Sequence, residues 1–102
     1  MGSRYLFSCS KCGYLSEVSG GKDCGMMAVV RTMICQDCAD LVDVLIGRFG
    51  KEGLTGDAEY DKDIGLCPEC DGANIVAWHE RDRPCPKCDG RMIKGQATVL
   101  WD

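Results

Sequence analysis

Short runs of alternating apolar and polar residues predict a chain built from β-strands. Strand formers such as Val29, Val30 and Ile34 occupy these runs, which are shorter than an ordinary helix. A helix is an alternative only after Cys38, where Leu41 and Val44 also fit one helical face. The predicted strands cover residues 5–7, 14–18, 27–34, 41–46, 74–79, 91–93 and 98–101.

The stretch 47–63 separates these strands into two groups. It holds three basic and five acidic residues, with glycine at every third position from 47 to 56. This composition is typical of a mobile connection or a hydrophilic hairpin. We therefore expect three segments: an N-terminal unit at 1–46, an acidic linker at 47–63, and a C-terminal unit at 64–102.

The longest apolar stretches lie at 26–30 and 41–46. Both fall short of the roughly 18 residues of a membrane span, and no secretory signal is expected. We therefore predict a cytoplasmic protein that makes no membrane contact. The chain contains nine cysteines among 102 residues, and in a reducing compartment clustered cysteines usually bind metal.

Eight of the nine cysteines form four Cys-x-x-Cys pairs. Two intervening residues let a tight turn aim both sulfurs at one ion, and two such turns complete a tetrahedron. The predicted metal ligands are Cys9, Cys12, Cys35, Cys38, Cys67, Cys70, Cys85 and Cys88. Sequential pairing of the turns, first with second and third with fourth, closes the shorter loops; crossed or nested pairing is the alternative.

The residue after each pair predicts the turn geometry. Gly13, Asp71 and Asp89 tolerate the left-handed backbone that such a turn often needs, whereas Ala39 does not. We therefore expect the second turn to differ from the other three.

Metal is also expected to support the fold. Only 37 apolar residues remain once cysteine is excluded, and units of about 40 residues rarely fold unaided. A structural zinc site can contribute roughly 10–16 kcal/mol of apparent binding energy. We predict that folding of both units requires metal.

The strings Cys9-Ser10-Lys11-Cys12-Gly13-Tyr14 and Cys85-Pro86-Lys87-Cys88-Asp89-Gly90 resemble knuckles of the zinc-ribbon and rubredoxin-like superfamily. The resemblance implies a small metal-stabilised all-β fold of two zinc-ribbon-like units, made of short antiparallel strands and knuckles, with two Zn²⁺ per chain. Cys9, Cys12, Cys35 and Cys38 would hold one ion, and Cys67, Cys70, Cys85 and Cys88 the other. Iron, as in a rubredoxin-like electron carrier, is the alternative, but the second pair lacks the Pro and Gly of a rubredoxin knuckle.

The net charge of the chain affects which class of partner it can bind. The formal net charge is −4, and two ions each bound by four thiolates would move it toward −8. That charge disfavours nucleic acid. A nucleic-acid site would depend on five cations near the fourth knuckle and on two tryptophans as stacking surfaces. These residues are Arg81, Arg83, Lys87, Arg91, Lys94, Trp78 and Trp101.

Three other features carry weaker signals. Cys24 lies in the glycine-rich stretch 19–26, which lacks the spacing of a phosphate loop and is expected to be a flexible loop with a spare thiol. The alternative is that this loop, with Met26 and Met27 beside it, contacts a partner. His79, the only histidine, is expected at an exposed strand end rather than on a metal.

A filled Cys₄ site leaves no coordination position for substrate, and the chain offers no nucleophile paired with a base. We therefore predict a non-catalytic zinc protein that acts as a protein-interaction or adaptor module. A nucleic-acid-binding ribbon and an iron electron carrier are the alternatives.

Overall fold

The regular secondary structure of the described residues is almost entirely β-strand, as predicted. The computed structural model describes residues 2–25 and 28–101, and the side chains of all of these except 99–101. Its elements are β1 (Gly2–Cys9), β2 (Leu15–Val18), β3 (Lys22–Cys24), β4 (Ala28–Cys35), β5 (Asp40–Arg48), β6 (Lys51–Glu52), α1 (Ala58–Asp61), β7 (Ile75–Ala77) and β8 (Met92–Trp101). Within this part of the chain no helix is both long and apolar enough to cross a membrane.

Most of the predicted strands are confirmed, with two differences. The glycine-rich loop contains the short strand β3, which pairs with β4. The segments 91–93 and 98–101, predicted as separate strands, belong to one strand from Met92 onward. The residues after Cys38 form β5, which confirms the strand predicted at 41–46 and excludes the helical alternative. The proposed contact of Met26 and Met27 with a partner lies outside the described residues.

The strands form two antiparallel sheets. One sheet has the order β2-β1-β8, so the first and last described strands are neighbours. The other has the order β3-β4-β5-β6, and β7 pairs with β4 beyond the end of β3. Each sheet therefore pairs a strand from the first half of the chain with one from the second half, β1 with β8 and β4 with β7.

The stretch 47–63 begins as a hairpin. Phe49 and Gly50 both have positive φ, 52° and 76°, at the tight turn between β5 and β6. After β6 the Asp57 side chain caps α1 by accepting a hydrogen bond from the Glu59 N–H. The Gly65 N–H then donates to the carbonyl of Leu45, which returns the chain to the second sheet.

Two small apolar clusters contain the cysteines. The first joins Phe7, Val18, Leu41, Trp78 and Met92 with Cys9 and Cys85, and the Phe7 and Trp78 rings meet edge to face at 5.6 Å between centroids. The second joins Val42 and Val44 with Cys35 and Cys67. Apolar burial in this protein therefore occurs directly around the sulfurs.

A buried carboxylate links the two sheets. Asp43 of β5, whose side chain is 6% exposed, accepts hydrogen bonds from the Ser19 N–H at 2.9 Å and the Thr32 hydroxyl at 2.6 Å. The Arg4 guanidinium of β1 lies 3.7 Å from the same carboxylate. These partners compensate the cost of burying the charge and fix one sheet against the other.

Candidate metal centres

All four Cys-x-x-Cys turns close in the same way, five residues after their first cysteine. The N–H groups of Cys9, Cys67 and Cys85 donate to the carbonyls of Tyr14, Gly72 and Gly90, at 2.9 to 3.0 Å. Cys35 faces Asp40 across the β4–β5 ladder, which gives the same spacing. A shared closure places the two sulfurs of each pair on one side of the turn.

The prediction that the second turn differs from the other three is wrong. Ala39 adopts the left-handed conformation with φ of 53°, as Gly13 does at 80° and Asp71 at 59°. Asp89 is the residue without positive φ. A non-glycine residue in this conformation costs energy, so the closure of the second turn outweighs the preference of alanine.

The turns meet in a nested arrangement, so the sequential pairing is wrong. Cys9, Cys12, Cys85 and Cys88 form one group, and Cys35, Cys38, Cys67 and Cys70 form the other. We call these the outer tetrad and the inner tetrad. Each takes one pair from 1–46 and one from 64–102, so the ligand sets implied by the resemblance are replaced.

The magnitudes explain why loop length failed as a guide. Sequential pairing would close loops of 22 and 14 residues, whereas nested pairing closes loops of 28 and 72 residues. Closure entropy grows slowly with length, so this change costs only about 1–2 kcal/mol. Against it stand seven residue pairs between β1 and β8 and the burial of Phe7, worth about 2–3 kcal/mol alone.

The sulfur spacing fits a tetrahedral metal site. All ligand atoms of each tetrad lie within 4.8 Å of one another. Cross-turn distances are 3.5 Å for Cys9 to Cys88, 3.6 Å for Cys12 to Cys85, 3.7 Å for Cys35 to Cys70 and 4.0 Å for Cys38 to Cys67. Sulfurs bound at about 2.3 Å to one Zn²⁺ are separated by about 3.8 Å, whereas a disulfide needs about 2.05 Å. Each tetrad could therefore hold one metal ion.

Backbone N–H groups face the sulfurs. Donors from Cys38, Glu69 and Lys87 reach the first sulfur of their turns, each at 3.4 Å, and the Gly90 N–H reaches the Cys88 sulfur at 3.2 Å. Such donors stabilise thiolate, the form that binds metal. Glycine at position 90 avoids a clash, because a Cβ there would lie 2.9 Å from the Lys11 Cβ and 3.0 Å from the Cys9 sulfur.

Within the outer tetrad the sulfurs compete for negative charge. Backbone N–H groups, chiefly that of Cys12, lower the pKa of Cys9 to about 6. The Gly90 N–H acts to lower the pKa of Cys88, but burial and the neighbouring sulfurs outweigh it and raise that pKa to about 12.

The pKa values of the inner tetrad are also shifted in opposite directions. The Cys38 N–H above all lowers the pKa of Cys35, and the sulfurs of Cys70 and Cys35 raise that of Cys38. Four thiolates this close therefore need a cation between them.

Burial follows one rule in both tetrads. The first cysteine of every pair is buried, at 5% exposure or less in all four cases. The second cysteines are half-buried or exposed, with Cys12 and Cys70 exposed. Each candidate centre thus lies between an apolar cluster and solvent.

The residues predicted for other roles lie outside the tetrads. Cys24 is on β3 and half-buried, and His79 is exposed. Trp78 is only 5% exposed and donates its indole N–H to the Pro84 carbonyl, so the prediction of a stacking surface there is wrong. The side chain of Trp101 lies outside the described part of the structure.

Several of the cations predicted for nucleic acid have partners within the protein. Arg91 donates to the Asp82 and Arg81 carbonyls, and Arg83 donates to the Glu80 carbonyl. The Lys94 ammonium lies 3.9 Å from the centre of the Tyr5 ring. These contacts are to carbonyls and to a ring, so they orient the side chains without neutralising their charge.

Sequence reasoning missed Tyr14 and Asp40, which lie between the tetrads, and assigned their neighbour Lys87 to nucleic acid instead. The Tyr14 hydroxyl donates to the Asp40 carboxylate at 3.0 Å and accepts from the Leu41 N–H at 3.0 Å. The Lys87 ammonium lies 3.5 Å from the same carboxylate and 5.2 Å from the centre of the Tyr14 ring. Their positions beside cysteines were visible, but their proximity depends on the nested pairing.

Comparison of the chain with protein-family models, curated proteins and solved structures gives no match. The likeness to zinc ribbons consequently rests on the two tetrads and the shared closure of their turns.

Proposed function

We propose that this chain is a non-catalytic metal protein in which each tetrad holds one structural Zn²⁺, and that it serves as a protein-interaction module. The observation that carries the metal assignment is the sulfur spacing of 3.5 to 4.0 Å across each pair of turns. The residues of the proposed sites are Cys9, Cys12, Cys85 and Cys88 in the outer tetrad, and Cys35, Cys38, Cys67 and Cys70 in the inner tetrad.

A structural role follows from the ligand number. Four thiolates saturate a tetrahedral ion and leave no position for water or substrate. The ion would supply positive charge and cross-link the turns, and the chain's own N–H groups would share the thiolate charge. His79 is exposed and belongs to neither tetrad, so it adds no ligand or base beside the ions.

Metal analysis of the purified chain, expressed without added metal, tests this assignment. The expected result is two zinc ions per chain and colourless protein. Red protein with visible charge-transfer bands and iron in the tetrads would support the electron carrier instead. A metal content near zero with oxidised thiols would contradict both forms of the proposal.

Exposed apolar residues support the interaction role. Phe49 is 60% exposed and Leu54 is 79% exposed, and both border a cavity of about 380 Å³ that Arg48 also lines. Phe49 has a positive φ of 52° in a turn position that favours Asn or Gly. The Arg48 guanidinium lies 4.6 Å from the centre of the Phe49 ring and holds it at the surface. Strained backbone positions cluster at binding sites, and exposed aromatic residues often anchor protein interfaces.

A capture experiment with matched variants tests the interaction role. Phe49→Asn and Leu54→Ser should abolish specific capture of a partner by the zinc-loaded chain. Leu15→Ser, which changes a residue 61% exposed elsewhere on the surface, should retain it. Equal capture by all three variants would exclude this surface.

The nucleic-acid alternative has less support, because Trp78 is buried and Arg83, Arg91 and Lys94 have intramolecular partners. Retention of the zinc-loaded chain on a DNA or RNA column, falling steeply with salt, would favour it over the interaction module.

A further inference from the structure

The two tetrads are joined by a bridge made of Tyr14, Asp40 and Lys87. Asp40 is the common partner, because it accepts from the Tyr14 hydroxyl at 3.0 Å and pairs with the Lys87 ammonium at 3.5 Å. The Tyr14 hydroxyl also accepts from the Leu41 N–H at 3.0 Å. All three side chains are thus engaged across the boundary between the outer and inner tetrads.

Each member of the bridge is positioned by a cysteine turn. The Tyr14 carbonyl closes the first turn by accepting from the Cys9 N–H at 2.9 Å. Lys87 lies inside the fourth turn, where its N–H donates to the Cys85 sulfur at 3.4 Å. Tyr14 and Lys87 therefore depend on the order of the outer tetrad.

Asp40 depends on the inner tetrad instead. It faces Cys35 across the β4–β5 ladder and follows Cys38 by two residues. The next residue, Leu41, is 4% exposed and packs in the apolar cluster of the outer tetrad beside Cys9 and Cys85. The chain segment that closes an inner-tetrad turn is consequently part of the outer core.

We infer that the two metal sites are energetically coupled through this bridge, so that an ion in either tetrad raises the affinity of the other. The inference rests on the proposed function, since it requires both tetrads to bind metal. An ion that orders the outer turns fixes Tyr14 and Lys87, which then hold Asp40 and the second turn in place. Linkage makes the effect reciprocal.

Zinc titration of the full chain and of half-site variants measures the coupling. Cys12→Ser with Cys88→Ser disables the outer tetrad, and Cys38→Ser with Cys70→Ser disables the inner one. Competition with a chelating dye gives the affinity of the remaining tetrad, and native mass spectrometry counts the ions. We expect each disabled tetrad to weaken the other by about 5- to 100-fold, and by the same factor in both directions.

Tyr14→Phe tests the bridge itself. Removing the hydroxyl takes away the contacts to Asp40 and Leu41 but leaves the ring beside Lys87, so the fold-change between full and half-site chains should shrink severalfold. Tyr5→Phe is the matched control: the Tyr5 ring also lies beside a lysine, Lys94, and within the described part of the chain its hydroxyl makes no hydrogen bond that joins the tetrads. This variant should keep the full coupling.

The outcomes separate the inference from the proposed function. A full chain that binds no zinc contradicts the proposed function. A full chain that binds two ions, with half-site affinities unchanged within about twofold, overturns the coupling alone. If Tyr14→Phe does not fold with zinc, Lys87→Gln, which removes only the ion pair and the cation–ring contact, takes its place. Undiminished coupling in that variant would exclude the bridge.

Discussion

The outer and inner tetrads use the same turns but are supported differently by the rest of the chain. The outer tetrad lies on β1 and β8, which share seven residue pairs, and beside the buried rings of Phe7 and Trp78. The first turn of the inner tetrad lies on the β4–β5 hairpin, which has eight residue pairs, but its two turns are joined by the three residue pairs between β4 and β7 and by a cluster that includes Val42 and Val44. The protein contacts that join the two turns of a tetrad are therefore more extensive in the outer tetrad than in the inner one.

The turns differ in the same direction. In the outer tetrad the left-handed position is occupied by Gly13, which adopts it freely. In the inner tetrad it is occupied by Ala39 and Asp71, for which it is unfavourable or merely tolerated. Backbone strain thus accumulates in the tetrad whose two turns are joined by the shorter strand pairing, β4 with β7, and we expect the inner tetrad to depend more on its metal.

Removal of metal should have the largest effect. Each structural zinc site contributes roughly 10–16 kcal/mol of apparent binding energy, more than a domain of this size gains in net stability. Chelated, reduced protein should lose its cooperative thermal transition. Hydrogen exchange should then show any remaining protection in β1 and β8 rather than in β7.

Two results would break the comparison. A metal-free chain with an unchanged transition midpoint would show that the tetrads are dispensable for folding. Residual protection confined to β4 and β7 would show that the inner tetrad, not the outer one, has the stronger support from the protein.

A core substitution should have the next largest effect. Phe7 is 1% exposed and packs on Trp78, so Phe7→Ala should destabilise the zinc-loaded protein by about 3–5 kcal/mol. Denaturant unfolding followed by circular dichroism measures the loss. In the unsubstituted chain we expect the inner tetrad to release zinc to a chelator first. In Phe7→Ala the outer tetrad should release it first instead.

Phe49→Ala is the matched control, because it makes the same chemical change at a residue 60% exposed. We expect a change within about 0.5 kcal/mol, as is usual for surface substitutions. Equal losses from Phe7→Ala and Phe49→Ala would mean that the outer cluster does not support its tetrad.

The sequence predicted the ligands and the strand-rich fold class because both depend on local patterns. Cysteine spacing depends on the reach of one turn, and strand formers such as Val29 and Val30 mark their strands directly. Pairing of the turns depends on which distant strands meet. Nothing local to Cys12 or Cys85 records that β1 lies against β8, and the entropy of loop closure was too small a term to decide it.

The bridge between the tetrads was inaccessible for the same reason, whereas the conformation of Ala39 was misjudged for another. Alanine disfavours a positive φ by itself, but the β4–β5 ladder on both sides of the turn fixes the positions of Cys35 and Asp40. The two ends of the turn leave its last residue no other conformation. The preference of alanine for negative φ is therefore outweighed by the pairing of two residues, Cys35 and Asp40, that are only five positions apart.

That conflict gives the smallest and most direct test of the comparison between tetrads. Ala39→Gly should relieve the strain at φ of 53° and stabilise the inner tetrad by about 0.5–1 kcal/mol, after allowing for the greater freedom of glycine in the unfolded chain. Gly13→Ala places the opposite change in the outer tetrad, at φ of 80°, and a Cβ there meets no atom within 4 Å. Its cost of about 1 kcal/mol should therefore be conformational alone. Zinc affinities of the two tetrads, measured by chelator competition, should move in opposite directions in the two variants. If Ala39→Gly weakens zinc binding by the inner tetrad, the backbone at position 39 is not under strain. The greater dependence of the inner tetrad on metal would then have to come from the short β4–β7 pairing alone.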